Sequence, residues 1–151
     1  MTNKQEDEFD SIVKRLESAL EGKTGFLANG KLNELEPSSF IETIKNPHTA
    51  VVEFYTQHCP YCRQMNPILK DLAEFYEARV YFAKVDVGDK YEFREKFRII
   101  GVPAIIAFKK GLEVARVEGL QKYGELDNWI DSIHQGLRPM GMESGSTTKA
   151  L

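Results

Sequence analysis

Two hydrophobic rhythms run along this chain. Residues 49–56, 80–87 and 104–108 (containing VVEFY, VYFAKVDV and AIIAF) are short runs rich in β-branched and aromatic side chains, the pattern of buried strands. Helical spacing takes over between them. Met65, Ile68, Leu69, Leu72, Ala73, Phe75 and Tyr76 predict a long helix after the first run. Residues 90–97 predict a short charged helix with Tyr91, Phe93 and Phe97 as its apolar members. Residues 124–133 predict a closing helix with Leu126, Trp129, Ile130 and Ile133 facing inward. A strand at 31–35 precedes a brief helix that Ser38 or Ser39 can cap and that Asn46 and Pro47 stop. Lys110-Gly111 turns the strand 104–108 into a hairpin partner at 112–118. The order β-α-β-α-β-α-β-β-α predicts an α/β domain, a central mixed sheet with helices on both faces.

The two ends lie outside this alternation of strands and helices. Across residues 5–21, Phe9, Ile12, Val13, Leu16, Ala19 and Leu20 mark one face of an amphipathic helix. That face either packs on the domain or binds a partner or a second copy. Past Gly136 no period is legible and the composition predicts disorder. The expected organisation is an N-terminal helical extension (1–30), a domain (31–137) and a disordered tail (138–151).

Composition narrows the function classes. At 151 residues the chain has the length of one domain with a real core. Twenty basic residues against 23 acidic ones leave no basic patch that would suggest nucleic acid. No stretch reaches membrane-spanning length, and the charged start MTNKQEDEFD lacks the apolar core of a signal peptide. A soluble cytoplasmic protein is expected. In that reducing compartment, two closely spaced cysteines point to catalysis or redox sensing.

Those two are Cys59 and Cys62, placed where the strand 49–56 hands over to the long helix. Pro60 suits the first helical position, which makes Cys59 the N-cap, beside free backbone N–H groups and the positive end of the helix dipole. A thiolate is favoured there, so the thiol pKa should fall below about 8.5. Cys62 lies on the same face of the first turn, close enough to close a small disulfide. A purely structural bridge would constrain almost no chain entropy. Zinc would have to use His58, His48 or His134 with no second C-x-x-C and no H-x-x-x-H spacing. Redox chemistry is the expectation, with neither metal nor cofactor.

With these residues and their collinear companions, the span 31–136 resembles the thioredoxin superfamily. Glu53 stands six residues before Cys59, where that family has a buried acid; Pro67 matches its helix-kinking proline and Lys84 the strand lysine facing the acid. Gly101-Val102-Pro103 matches the cis-proline loop, Lys110-Gly111 the hairpin turn, and Gly119 the glycine beside the substrate groove. The resemblance implies a thioredoxin fold and a thiol-disulfide oxidoreductase acting through a mixed disulfide. It implies that Glu53, with a pKa raised by burial, takes the proton of Cys62. A cis Pro103 would turn the Val102 backbone toward the cysteines to pair with an extended substrate. Ile100, Val102, Pro60, Tyr61 and Gly119 would frame an apolar groove, and Arg63 beside Cys62 would add a small positive potential. The implied partners are protein disulfides and a thioredoxin reductase or other dithiol reductant.

Two departures leave the direction of electron flow open. The dipeptide Pro60-Tyr61 looks like glutaredoxin, whereas thioredoxins carry Gly-Pro and disulfide isomerases Gly-His; the glutathione-binding Thr-Val-Pro loop and Gly-Gly segment of glutaredoxins are replaced by Gly101-Val102-Pro103 and Glu118-Gly119-Leu120. His58 stands where thioredoxins have tryptophan, and it would tune the thiolate, contact substrate or do neither. A reductase of protein disulfides is the primary expectation. A disulfide oxidase or isomerase, and a redox-switched binding module without turnover, are the alternatives.

Overall fold

The computed structural model describes residues 8–12, 27–139 and 141–150. Its strands are β1 (Leu32–Leu35), β2 (Ala50–Tyr55), β3 (Tyr81–Asp86), β4 (Gly101–Val102), β5 (Ala104–Lys109), β6 (Leu112–Glu118) and β7 (Thr148–Lys149). Its helices within the domain are α1 (Phe40–Ile44), α2 (Pro60–Phe75), α3 (Tyr91–Phe97) and α4 (Tyr123–His134). Five strands form the main sheet in the order β1-β3-β2-β5-β6. The first three are mutually parallel, and β5 and β6 run antiparallel, giving the mixed sheet that the pattern predicted.

The central position of β2 explains its unbroken apolar run, since all six of its residues are buried under cover from both sides. Alternation along the strand sends Val52 and Phe54 to one face and Val51 and Glu53 to the other. On the first face Phe40 of α1 makes edge contacts with Phe93, Phe97 and Phe108 and a tilted contact with Phe54, at centroid separations of 5.1–5.8 Å. On the second, Met65, Leu69 and Leu72 of α2 join Leu126, Trp129, Ile130 and Ile133 of α4 over Val51, Phe82 and Ile105. The hairpin closes where expected: Lys110 and Gly111 have φ of +48° and +85°, the pair of positive values that a two-residue primed turn requires.

Some boundaries differ from the sequence reading. Ser39 occupies the N-cap of α1, yet no side-chain capping bond forms there; a single 3₁₀ turn over Pro37–Ser39 leads into the helix instead. Leu27 and Ala28, expected in the extension, pack with the domain: Ala28 is buried and its carbonyl accepts the Ala78 N–H at 2.8 Å. Residues 8–12 are helical with Phe9 and Ile12 exposed, while Val13, Leu16, Ala19 and Leu20 of the predicted stripe lie outside the described residues.

The largest difference is at the C-terminus. The tail expected to be disordered folds back, and β7 pairs antiparallel with β4, Thr148 opposite Val102 and Lys149 opposite Gly101. Periodicity cannot register such a segment, because backbone groups make the pairing and most of its side chains face water.

Candidate active site

Cys59 is the N-cap of α2, with extended backbone at φ −93° and ψ 109°, and Pro60 is the first helical residue. Proline costs nothing at that position, because its missing N–H would have had no partner in the helix. The Cys62 N–H donates to Cys59 Sγ at 3.1 Å, so one orphan donor of the first turn points at the sulfur. Cys59 and Cys62 are joined as a disulfide, with Cα atoms 5.2 Å apart. Both are buried, Cys59 at 0% exposure. The helix runs on unbroken through Pro67, which has no N–H to offer the Arg63 carbonyl.

A second loop, leading into the neighbouring strand β5, meets the sulfur at the same end of the sheet. The Val102-Pro103 bond is cis, and the Val102 carbonyl oxygen lies 3.6 Å from Cys59 Sγ. The Pro103 carbonyl accepts the Gly119 N–H at 2.7 Å, with Gly119 at a φ of +84° that an L side chain rarely adopts. Cys59, Cys62, Val102, Pro103 and Gly119 thus converge at one end of the sheet. Tyr61 is half-buried against the same apolar cluster, while Pro60 and His58 are exposed beside the disulfide. Ile100, expected as a groove wall, is 78% exposed.

Glu53 sits in the strand that delivers the cysteines and is 1% exposed. The register aligns Glu34, Lys84, Glu53 and Ile105 in one row across β1, β3, β2 and β5. Ile105 packs under α2, so the row looks toward the helix that carries Cys62. Among the described residues neither carboxylate oxygen of Glu53 has a hydrogen-bond partner. Burial pushes its pKa up to about 8; the Lys84 charge counteracts and Glu34 adds to the rise. Lys84 is a neighbour of Glu53 in register, but its ammonium pairs elsewhere: Nζ is 3.8 Å from Glu34 and 4.9 Å from the centroid of the Tyr55 ring. The Tyr55 hydroxyl donates to Glu34 as well. Glu34 was not singled out from the sequence, since only the strand register reveals that it draws Lys84 away from the buried acid.

Among the described residues no group of three or more His, Cys, Asp or Glu is arranged to hold a metal. His48 instead bonds the Thr49 hydroxyl at 3.1 Å, and burial with nearby cations lowers the pKa of both His48 and His134. No described helix is long and apolar enough to cross a membrane.

This arrangement of a dithiol at a helix N-terminus opposite a cis-proline loop can be compared with known proteins. The sequence profile of the thioredoxin family matches residues 31–132. A thioredoxin from Alicyclobacillus acidocaldarius subsp. acidocaldarius is 30% identical over 101 residues, 67% of this chain and 96% of the relative. One from Staphylococcus haemolyticus is 31% identical over 94 residues, 62% of this chain and 89% of the relative. The short form of spinach chloroplast thioredoxin F superposes with a TM-score of 0.63 at 28% identity, covering 69% of this chain and 94% of that one. A mutant thioredoxin from Halobacterium salinarum NRC-1 matches the fold alone, at TM-score 0.63 and 22% identity over 76% of this chain and 96% of that one. The match spans two-thirds of the chain and includes both cysteines, so the chain belongs to the thioredoxin family of thiol-disulfide oxidoreductases.

Proposed function

We propose that this protein is a reductase of polypeptide disulfides. The observation that carries this reading is the Cys59-Cys62 pair at the N-terminus of α2, with Cys59 Sγ 3.6 Å from the backbone of Val102. Helix N–H groups favour a thiolate at Cys59, and an adjacent extended backbone can seat a substrate main chain of any sequence.

In the reduced protein the Cys59 thiolate attacks one sulfur of a substrate disulfide. A Cys59-substrate mixed disulfide forms as the other substrate sulfur leaves as a thiolate and takes a proton. Where Glu53 is ionised, Cys62 gives it a proton and attacks Cys59 Sγ, forming the Cys59-Cys62 disulfide and expelling the second substrate sulfur as a thiolate, which takes the proton back from Glu53. Two electrons pass from the protein dithiol to the substrate. A carboxyl with a pKa near 8 suits proton exchange with a thiol near neutral pH, because the two groups are closely matched. Lys84, turned to Glu34, bears on that exchange only through its field, and Pro67 acts on the shape of α2. A dithiol reductant, such as a thioredoxin reductase, closes the cycle.

The test is the reduction potential of the Cys59-Cys62 pair, read by trapping free thiols in graded dithiol buffers. A value near about −270 mV fits a reductase, whereas about −180 to −120 mV would shift the assignment to isomerase or oxidase work. Failure to form a reversible disulfide would overturn both.

A further inference from the structure

A strand of the protein itself already lies on the edge where the proposed mechanism seats a substrate. The path of the tail is continuous. The Glu143 carbonyl accepts from Gln121 Nε2 at 3.3 Å, the Gly145 N–H donates to the Glu118 carbonyl at 2.8 Å, and the Leu120 N–H donates to the Ser146 carbonyl at 3.0 Å. Thr148 then pairs with Val102 and Lys149 with Gly101, and the Ala150 N–H donates to the Ile100 carbonyl at 3.1 Å. The tail thus covers the backbone on both sides of Pro103, first at Gly119 and then at Val102.

Three glycines permit this close approach. A Cβ on Gly145 would run into the Leu120 carbonyl, one on Gly119 would run into the Gly145 backbone, and one on Gly101 would lie 3.1 Å from the Thr147 side chain. Ala150 at the end of the path is buried in the same apolar cluster as Cys59, Cys62, Ile99 and Val102. Val102, which pairs with the tail, and Cys59, whose Sγ lies 3.6 Å from the Val102 carbonyl, are both fully buried. A sulfur that must be attacked or must attack cannot do so without access. The cover is also light: β7 has two residues, and Glu143, Ser144, Ser146, Thr147 and Lys149 are exposed. So short a strand with so little buried side chain belongs to the segments that open most readily.

We propose that residues 143–150 are an internal stand-in for the substrate strand, so that only polypeptides able to displace the tail from Val102 reach Cys59. The inference rests on the substrate-pairing role given to Val102 above. The tail and the substrate are mutually exclusive occupants of one edge, and the apparent affinity for a polypeptide falls by the fraction of molecules in which the edge is open.

The experiment compares the full chain, a chain ending at Met142, and Gly145→Val in the full chain, which displaces the tail without removing it. Two readouts are taken: the rate at which iodoacetamide alkylates reduced Cys59, resolved by peptide mass spectrometry, and kcat and KM for reduction of the interchain disulfides of insulin. An open fraction of about a tenth predicts that both variants alkylate about tenfold faster and show a KM about tenfold lower at unchanged kcat. A synthetic peptide of residues 142–151 added to the truncated chain should raise KM competitively. Equal alkylation rates in all three proteins would overturn the proposal, as would faster alkylation with unchanged KM. If no form turns insulin over, the reductase reading fails while alkylation still decides whether the tail covers Cys59.

Discussion

Two segments meet at Val102 and approach it by different means. The Cys59–Cys62 turn approaches with side-chain chemistry, a sulfur 3.6 Å from the Val102 carbonyl, and it is fixed by a buried strand behind it and a sixteen-residue helix ahead. The tail approaches with backbone, two residues of strand whose side chains are mostly in water. Residue identity carries the chemistry on one side, whereas on the other glycine at three positions and a free backbone edge suffice. The two sides should therefore respond oppositely to substitution.

The largest effect belongs to the sulfur side. Cys59→Ser should reduce dithiol-driven turnover of a polypeptide disulfide by about a thousandfold or more, because the attacking atom is removed and the remaining groups have nothing to act through. Cys62→Ser should also stop turnover, but it should trap a one-to-one adduct of substrate on Cys59, visible by mass under non-reducing conditions. A Cys62→Ser protein that turns over as fast as the parent would remove Cys62 from the mechanism.

Next comes the acid behind the disulfide. The folded-state pKa of Glu53 is raised to about 8 from an ordinary 4.5, so between those values the folded protein holds a proton that the unfolded chain has released. Stability therefore falls as pH rises through that window, by at most about 1.4 kcal/mol per unit, and the penalty is complete above about pH 8. Glu53→Gln, which buries a neutral amide, should remove this slope and leave the protein roughly 3–5 kcal/mol more stable than the parent at pH 9, read from urea midpoints at several pH values. The same variant should slow release of the mixed disulfide. Parallel pH profiles for parent and variant would show that Glu53 does not carry the buried proton.

The same contrast explains how much was legible in the sequence. The strand 49–56, the helix after Pro60 and the hairpin at Lys110-Gly111 each announce themselves through apolar period or turn chemistry, and each stands in the structure within a few residues of its expected place. Cys59-Pro60-Tyr61-Cys62 was legible from its place at a strand-to-helix junction and Gly101-Val102-Pro103 through resemblance, and the fold brings them together. What stayed hidden has no side-chain period. Lys84 was expected to answer Glu53, but its partner Glu34 becomes a neighbour only when β1 pairs with β3. The tail pairs through N–H and C=O groups that every residue carries, so composition marks it as disordered while geometry gives it an edge to occupy.

Gly119 belongs to both sides, so its substitution should give an intermediate effect. Gly119→Ala places a Cβ at φ +84° and against the Gly145 backbone. The left-handed conformation alone should cost about 1–2 kcal/mol of stability, and the displaced tail should let Cys59 alkylate faster. Loss of stability without faster alkylation would mean that the strain is absorbed in the Glu118–Leu120 turn and the tail stays seated.

The smallest predicted effect tests the contrast most narrowly. Lys149 borders an open cleft of about 440 Å³ that also meets His58, Asp86 and Asp89, so an ionic hold on the tail is the obvious rival to a backbone one. Its side chain is exposed, and an exposed charge facing acids across such a cleft contributes little. Lys149→Gln should therefore change the alkylation rate of Cys59 by less than about twofold, within the range of ordinary surface substitutions. Ala150→Pro should do far more with an equally modest side chain, because it deletes the N–H that binds the Ile100 carbonyl. If the lysine variant opened the site and the proline variant left it closed, charge would be holding the tail in place. A competing substrate would then have to match that charge as well as the edge, and the tolerance for sequence that backbone pairing provides would be lost.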